Sequence, residues 1–431
     1  IRFCDIGGRT YLNLLDKILP IIEDQEYDVQ IEDNRQPHDF QFQLIDESLH
    51  FSKNWGAKHP LAGQPIVLRD YQVKAINKFL QEPQCLQEIA TGAGKTLITA
   101  TLSQLVQPYG RSIVIVPNKS LVSQTEEDYK TLGLDVGVYY GERKEFDKKH
   151  TICTWQSLNV LLKKTKKYEA EVSIGDFLQD VVCVMVDEVH QAKADVLKTL
   201  LTGPFANVPI RWGLTGTIPK EDYEMASLKA SLGEVISKLS ASELQEKGVL
   251  AKCHVNIIQT QDTQAFTNYA NEQTHLVTNH ERLEFISDLI DKIRAEGNTL
   301  ILVDRIKSGQ LLEELVVGSV FVQGRTKMED REEEYDSIAT EQHKVIIATY
   351  GVAAVGINLP RIFNLVLLEP GKSFVRVIQS IGRGIRKAED KDHVEIWDIT
   401  STCKFSKRHL TTRKKFYKEA NYPFTIEKVT I

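Results

Sequence analysis

The sequence predicts an α/β fold: two tandem domains with mostly parallel, doubly wound sheets, preceded by a small α+β N-terminal domain. Three observations predict it. Short β-rich runs alternate with longer helical patterns. Those runs are nearly continuous in Val, Ile and Leu, as strands buried on both faces of a helix-covered parallel sheet must be. The alternation occurs in two long blocks. The chain has 431 residues, more than one ordinary domain holds and enough for two or three.

The first block carries the runs "CLQEIA" (85–90), "SIVIVP" (112–117), "VGVYYG" (136–141), "TICTW" (151–155), "VVCVMVDE" (181–188) and "RWGLTGT" (211–217). The second carries "TLILVD" (299–304), "SVFVQG" (319–324), "KVIIATY" (344–350), "NLVLLEP" (364–370) and "HVEIWDI" (393–399). Two similar domains with a cleft between them follow. The joint is expected near Val255–Gln264, before a polar helical stretch that begins near Ala265. The expected domains are therefore 1–64, 65–254 and 255–431. The region before Gln64 offers an apolar helix pattern, "YLNLLDKILPIIED", and a strand, "YDVQIED". The chain does not begin with Met, so part of this N-terminal domain is expected to precede Ile1.

Composition narrows the function classes. Hydrophobic residues are 42% and charged residues 26%, a soluble globular balance. No apolar run approaches the ~18–20 residues of a membrane span, so no membrane partner is expected. The six cysteines form no CxxC pair and read as reduced thiols of a cytoplasmic protein, neither a disulfide frame nor a zinc site. The net charge of −6 argues against wholesale polyanion binding but leaves room for a local basic groove. One basic stretch runs from Lys404 to Lys418 as a C-terminal tail. It reads either as a grip on a duplex or as a solvated terminal helix.

"EIATGAGKT" (88–96) joins a strand to a helix. Gly92 and Gly94 let the backbone bend closely around an anion. The first N–H groups of the helix then cradle phosphates. Lys95 is placed to reach the β/γ-phosphates of a nucleotide, and the Thr96 hydroxyl to ligate Mg²⁺. The P-loop pattern wants glycine where Ile89 stands. The bland alternative is a glycine turn that only caps a helix.

"VVCVMVDEVHQA" (181–192) is an apolar strand that ends in Asp187, Glu188, Val189 and His190. A metalloprotease needs His-Glu-x-x-His on a helix. Here the first His is absent and the segment is a strand. A P-loop site instead needs a strand-end carboxylate for Mg²⁺, which is Asp187. Glu188 is then the general base for the attacking water. His190 reads as a relay between the nucleotide site and the domain interface, or as a satisfied structural histidine.

"QSIGRGIR" (379–386) places Arg383 and Arg386 on one helix face, where guanidiniums can stabilise transition-state charge. A solvated basic face is the alternative. Gln379 is a candidate to sense the γ-phosphate or its water. In "LRDYQ" (68–72) the amide of Gln72 can pair with an adenine edge.

The ordered set "LRDYQ", "ATGAGKT", "VPNKSLVSQ" (116–124), "TWQSL" (154–158), "DEVH", "LTGT" (214–217), "IATYGVAAVGINLP" (347–360) and "QSIGRGIR" resembles the superfamily 2 helicases and translocases over roughly residues 65–400. The resemblance implies two RecA-like P-loop domains with ATP and Mg²⁺ between them and nucleic acid across both. It assigns nucleotide contacts to Arg69, Gln72, Thr91, Gly92, Ala93, Gly94, Lys95, Thr96 and Leu97, with Gly356 and Asn358 in the second domain. It assigns nucleic-acid contacts to Pro117, Asn118, Lys119, Thr154, Trp155, Gln156, Arg305, Gly324, Arg325, Thr349 and Tyr350. "LTGT" takes the place of the motif that couples hydrolysis to movement. Asn358 stands where many relatives carry Asp.

"DEVH", "TWQSL" and "GLTGT" are similar to the UvsW-type helicases of tailed bacteriophages, as is the N-terminal stretch. That resemblance implies a DNA helicase acting on branched or forked duplex, migrating Holliday junctions and regressing forks in the cytoplasm of a bacterial host. A monomer is favoured. Alternatives are an RNA helicase, a restriction-type duplex translocase, or a non-enzymatic nucleic-acid-binding module with a relic nucleotide site. The intact Lys95, Thr96, Asp187, Glu188, Arg383 and Arg386 oppose the last.

Overall fold

A computed structural model describes residues 3–32, 38–56, 61–189, 194–219, 221–338, 340–353, 361–371 and 390–431. The chain forms two compact units, residues 1–89 with 94–238, and residues 90–93 with 239–431.

The first unit holds an eight-stranded sheet. Its strands are β1 (Gln84–Ile89), β2 (Arg111–Val116), β3 (Val136–Tyr140), β4 (Arg143–Lys144), β5 (His150–Thr154), β6 (Val181–Asp187), β7 (Ile210–Thr215) and β8 (Glu234–Leu239). The order is β4-β3-β5-β2-β6-β7-β1-β8. The pairs from β3 through β1 are parallel, and β4 returns antiparallel on β3. β5 and β7 are buried at every position, so side chains of both strand faces enter a core. Leu158, Leu161 and Leu162 pack with Leu197, Leu200, Leu201, Leu228 and Leu232 in one such core. They come from the helices Trp155–Lys166, Ala194–Leu201 and Asp222–Leu232. The helices Asp70–Gln81, Lys95–Val106 and Lys119–Thr131 pack against one another in series.

The second unit is built on β9 (Lys252–Gln261), β10 (Thr299–Val303), β11 (Ser319–Val322), β12 (Val345–Thr349), β13 (Asn364–Leu368), β14 (His393–Ser401) and β15 (Phe424–Thr430). The order is β11-β12-β10-β13-β14-β9-β15, parallel throughout. Ile286 and Ile290 of helix His280–Ile293 and Leu312 of helix Ile306–Leu315 cover Ile301, Ile347 and Val366. This is the tandem doubly wound architecture the alternation predicted.

Four differences have physical reasons. The expected joint, Val255–Gln264, lies mostly in β9, which is hydrogen-bonded on both sides, so the second unit starts at Leu239, ahead of the expected boundary. Residues 1–64 group with the first unit and form no unit of their own. Asp16 pairs with Lys229 at 2.6 Å, and Asn13 donates to Gln84 at 3.0 Å. "YDVQIED" forms no strand over residues 27–32, where Tyr27, Val29 and Ile31 are exposed and no partner strand adjoins. The basic C-terminal stretch is no loose tail. It is the helix Lys404–Glu419, followed by β15 on the edge of the sheet.

All six cysteines are free, five of them buried.

Candidate active site and nucleic-acid interface

β1 ends at Ile89, and Lys95 opens the following helix. Between them Gly92 and Gly94 adopt φ of 89° and 79°, a left-handed conformation that costs a side-chain-bearing residue about 1–2 kcal/mol. Gly94 is the N-cap. A Cβ there would lie 2.6 Å from Gln72 Nε2, so the loop passes directly over the Gln72 amide. Gln72 is itself fixed, since its Oε1 accepts the Arg69 N–H at 2.9 Å. Arg69 is exposed and donates to the Tyr71 hydroxyl at 2.9 Å. Thr96 and Leu97 occupy the first turn of the helix and are half-buried, as is Thr91 in the loop; Ala93 is buried.

The carboxylates meet Lys95. β1 and β6 flank β7 in the parallel sheet, so their C-terminal ends share one edge. Lys95 Nζ lies 2.7 Å from Glu188 Oε1 and 3.3 Å from the Ile89 carbonyl. Both side chains are nearly buried. Glu188 departs from strand geometry with φ of 50°, and its N–H donates to Asp187 Oδ1 at 2.9 Å. The Gly216 N–H of "LTGT" donates to Glu188 Oε2 at 3.2 Å. The Thr215 hydroxyl, which donates to the Thr217 carbonyl at 2.8 Å, fixes that loop. Burial, and then the neighbouring Glu188 charge, push the Asp187 carboxyl up to about 7, and Lys95 pulls it back. Two adjacent carboxylates thus face one ammonium, a negative surplus of the kind a divalent cation offsets.

The expected nucleic-acid residues of the first unit also cluster. β2 and β5 pair in register with Val116 beside Thr154. Asn118 and Thr154 cap the two helices that follow. Asn118 Oδ1 accepts from the Leu121 N–H at 3.1 Å, and Thr154 Oγ1 from the Ser157 N–H at 3.3 Å. Gln156 Nε2 ties the two ends together by donating to the Pro117 carbonyl at 3.2 Å. Two helix N-termini therefore sit side by side, a natural seat for phosphates. Lys119 projects beside them with Nζ 5.9 Å from the Tyr140 ring centroid. Trp155 packs against the core.

In the second unit Arg305, Gly324 and Arg325 are exposed after β10 and β11, and Thr349 ends β12 half-buried. Tyr350 differs: its side chain is buried, with the hydroxyl 3.4 Å from the Leu368 carbonyl, so it belongs to the core. Gly356, Asn358, Gln379, Arg383, Arg386 and His190 lie outside the described residues.

Sequence reasoning did not find the Gly216 contact to Glu188 or the capping roles of Asn118 and Thr154. The caps carried a signal, an Asn or Thr directly after an apolar strand and before a helical pattern. The Gly216 contact had none, because a backbone N–H has no letter of its own.

Comparison with known proteins agrees with the geometry. The family model of the type III restriction enzyme res subunit matches residues 65–220, and that of the helicase conserved C-terminal domain matches residues 281–388. The ATP-dependent DNA helicase uvsW of Enterobacteria phage T4 is 24% identical over 376 residues, covering 82% of this chain and 72% of that protein. The DNA 3'-5' helicase XPB of Mycobacterium tuberculosis is 23% identical over 390 residues, covering 86% and 68%. Among solved structures, the ATP-dependent type ISP restriction-modification enzyme LlaBIII bound to DNA superposes with a TM-score of 0.60 at 15% identity, over 88% of this chain and 32% of that one. With the phosphate loop, its paired carboxylates and both helicase domains in order along one polypeptide, this chain belongs to the superfamily 2 helicases and translocases, an ATP-dependent enzyme family.

Proposed function

We propose that the protein is an ATP-driven DNA motor that unwinds or remodels branched DNA, migrating Holliday junctions and regressing forks during recombination, repair and replication. The observation that carries the reading is the chain of contacts Lys95–Glu188–Gly216 at the end of β6. It joins a phosphate-binding lysine, a water-activating carboxylate and the "LTGT" loop in one cluster. Lys95 and the N–H groups of the 92–96 loop bind the β/γ-phosphates. Glu188 orients the attacking water and takes its proton as the water oxygen bonds to the γ-phosphorus and the bond from that phosphorus to the β,γ-bridging oxygen breaks, ADP leaving with the electron pair. Thr96 and Asp187 fit Mg²⁺, because burial and the neighbouring Glu188 charge penalise the Asp187 carboxylate, and a divalent cation beside it would offset both. When bound, the ion would neutralise phosphate charge. The Gly216 N–H reports the state of Glu188 to the loop that follows β7. Gln379, Arg383 and Arg386 belong to this reading as groups that act on the γ-phosphate, and Gly356 and Asn358 as nucleotide contacts.

Asn118, Lys119 and Thr154–Gln156 form the phosphate seat for DNA in the first unit; Arg305, Gly324, Arg325 and Thr349 are its counterparts in the second. The branched substrate rests on the resemblance of "DEVH" and "TWQSL" to the phage helicases and on the similarity to the T4 protein. The expected setting is the cytoplasm, that of a bacterial host if a phage encodes the chain, and a monomer suffices for the chemistry.

The test is ATPase and strand-exchange activity on single strand, blunt duplex, fork, three-way and four-way junctions, in DNA and RNA versions. Strongest stimulation by forked and four-way DNA is expected. Equal rates with and without DNA would sink the motor reading, and stimulation by RNA alone would convert it to an RNA helicase. The match to the restriction res subunit over residues 65–220 favours one second reading, a translocase that moves along duplex without displacing a strand. Strand displacement on the fork separates the two.

A further inference from the structure

We infer that the exposed face of helix Lys404–Glu419 is a second DNA contact, a rail for the phosphodiester backbone distinct from the residues the helicase motifs supply. The helix holds seven basic residues and one acidic one, on a chain whose net charge is −6. The fold sorts them. Arg413 points inward and is fully buried, along with Ser406, Leu410, Phe416 and Tyr417. Lys404, Lys407, Arg408, Lys415 and Lys418 are exposed and Lys414 is half-buried. Their spacing of three, four, seven and eleven residues puts them on one stripe of the helix. Among the described residues none of these six forms an ion pair, although surface lysines elsewhere in the chain, Lys130 and Lys148 for example, do. A solvated face has no reason to concentrate unpaired like charge, which repels along a helix.

Three features fit the stripe to nucleic acid. At 1.5 Å per residue the helix is about 24 Å long. One DNA strand presents about seven phosphates over that length, at about 3.4 Å per phosphate. The exposed positions Lys404, Lys407, Arg408, Thr411, Lys415, Lys418 and Glu419 include no apolar residue, whereas a helix that lies in a membrane surface inserts Trp, Phe or Leu. The helix also starts just past the C-terminal end of β14. In this parallel sheet that is the edge where Arg305, Gly324, Arg325 and Thr349 emerge. β14 is two strands from β10, about 10 Å at the usual spacing, so the first turns of the rail, with Lys404, Lys407 and Arg408, adjoin that edge, and the helix then leads back toward the opposite edge, where β15 begins.

The inference rests on the DNA-motor reading and is tested apart from it. Forked-DNA binding by the full chain is measured by fluorescence anisotropy between 50 and 200 mM salt. The wild type, the triple variant Lys407→Gln/Arg408→Gln/Lys415→Gln and Lys119→Gln are compared. Three lost phosphate contacts should flatten the log–log salt slope by about 2.7, so the salt step costs the wild type about 40-fold more affinity than the triple variant. ATPase activity without DNA should not change, because none of the three belongs to the motifs assigned to the nucleotide. If Lys119→Gln weakens binding while the triple variant keeps the wild-type slope, the rail is wrong and the motor reading stands. If the wild type shows no DNA binding, both fall. Loss of binding to phosphatidylserine vesicles with an unchanged DNA slope would also overturn the rail, in favour of a membrane surface.

Discussion

Lys95 and Glu188 form a nearly buried ion pair of 2.7 Å, and the same Glu188 accepts the Gly216 N–H. In the proposed mechanism the pair has a use beyond stability. Phosphate arriving at the loop would compete with Glu188 for the ammonium and so free the carboxylate to meet the water. Glu188→Gln keeps a carbonyl oxygen for Lys95 and Gly216 but loses the basicity. Turnover should drop at least about 100-fold while a fluorescent ATP analogue still binds. Lys95→Ala should lose binding and turnover together. Wild-type turnover in Glu188→Gln would show that another group accepts the proton.

Gly94→Ala should cripple nucleotide binding by a traceable route. The new Cβ meets Gln72 Nε2 at 2.6 Å, and φ of 79° disfavours any side chain. Gln72 must then abandon either its place under the loop or its bond from Arg69 N–H. Gln72→Ala removes the obstacle, so the double variant should bind nucleotide better than the two single losses combined predict. Strict additivity in that cycle would mean that the strain at position 94 acts alone.

Most of this was legible, for a reason that also explains what was not. Strands β2, β6, β10 and β13 announce themselves because burial on both faces demands unbroken apolar runs. β8 and β15 carry Glu, Lys and Thr among their apolar residues and stay partly exposed at sheet edges, so nothing in "EVISKL" or "FTIEKVT" marks a strand. β9 hid because its polar residues, His254, Asn256 and Gln259, are satisfied by specific partners: Thr425, Glu395 and the Ser401 carbonyl. The phosphate loop and its carboxylates were visible because their chemistry tolerates few residue types. The inward turn of Arg413 was not, because a composition run assigns every cation in it to the same side.

Acid should weaken the first unit through two buried histidines. His50 is bonded to Thr101, and His150 to Ser112 and Gln107. Burial holds both rings down to about 4, from an ordinary value near 6.5. Lys53 lowers His50 further, while Asp135 partly opposes the shift of His150. A depressed value means that the unfolded chain binds more protons between pH 6.5 and 4. Stability is therefore complete above pH 6.5 and is lost as pH falls toward 4, on the order of 1–3 kcal/mol per ring. Urea midpoints across this window should slope upward with pH, and His50→Gln/His150→Gln should flatten the slope. A wild-type slope in the double variant would place the titration elsewhere.

Arg413 should behave unlike every other cation of its helix. Its guanidinium grips Asp398 with two bonds of 2.8 and 2.9 Å and donates to the Gly371 carbonyl at 2.7 Å. The Tyr417 hydroxyl completes the cluster at 2.7 Å from Asp398. Arg413 and Asp398 are both fully buried, so Arg413→Met strands a carboxylate in the core, at a cost of about 3–5 kcal/mol. Lys cannot supply the forked geometry, so Arg413→Lys should recover little. Adding Asp398→Asn to Arg413→Met should recover more, because no lone charge then remains buried. Lys415→Ala, just over half a turn further on and on the exposed stripe, should change the urea midpoint by less than about 0.5 kcal/mol equivalent. Equal losses for Arg413→Met and Lys415→Ala would contradict the burial of Arg413, and would return it to the solvent face that the sequence alone suggested.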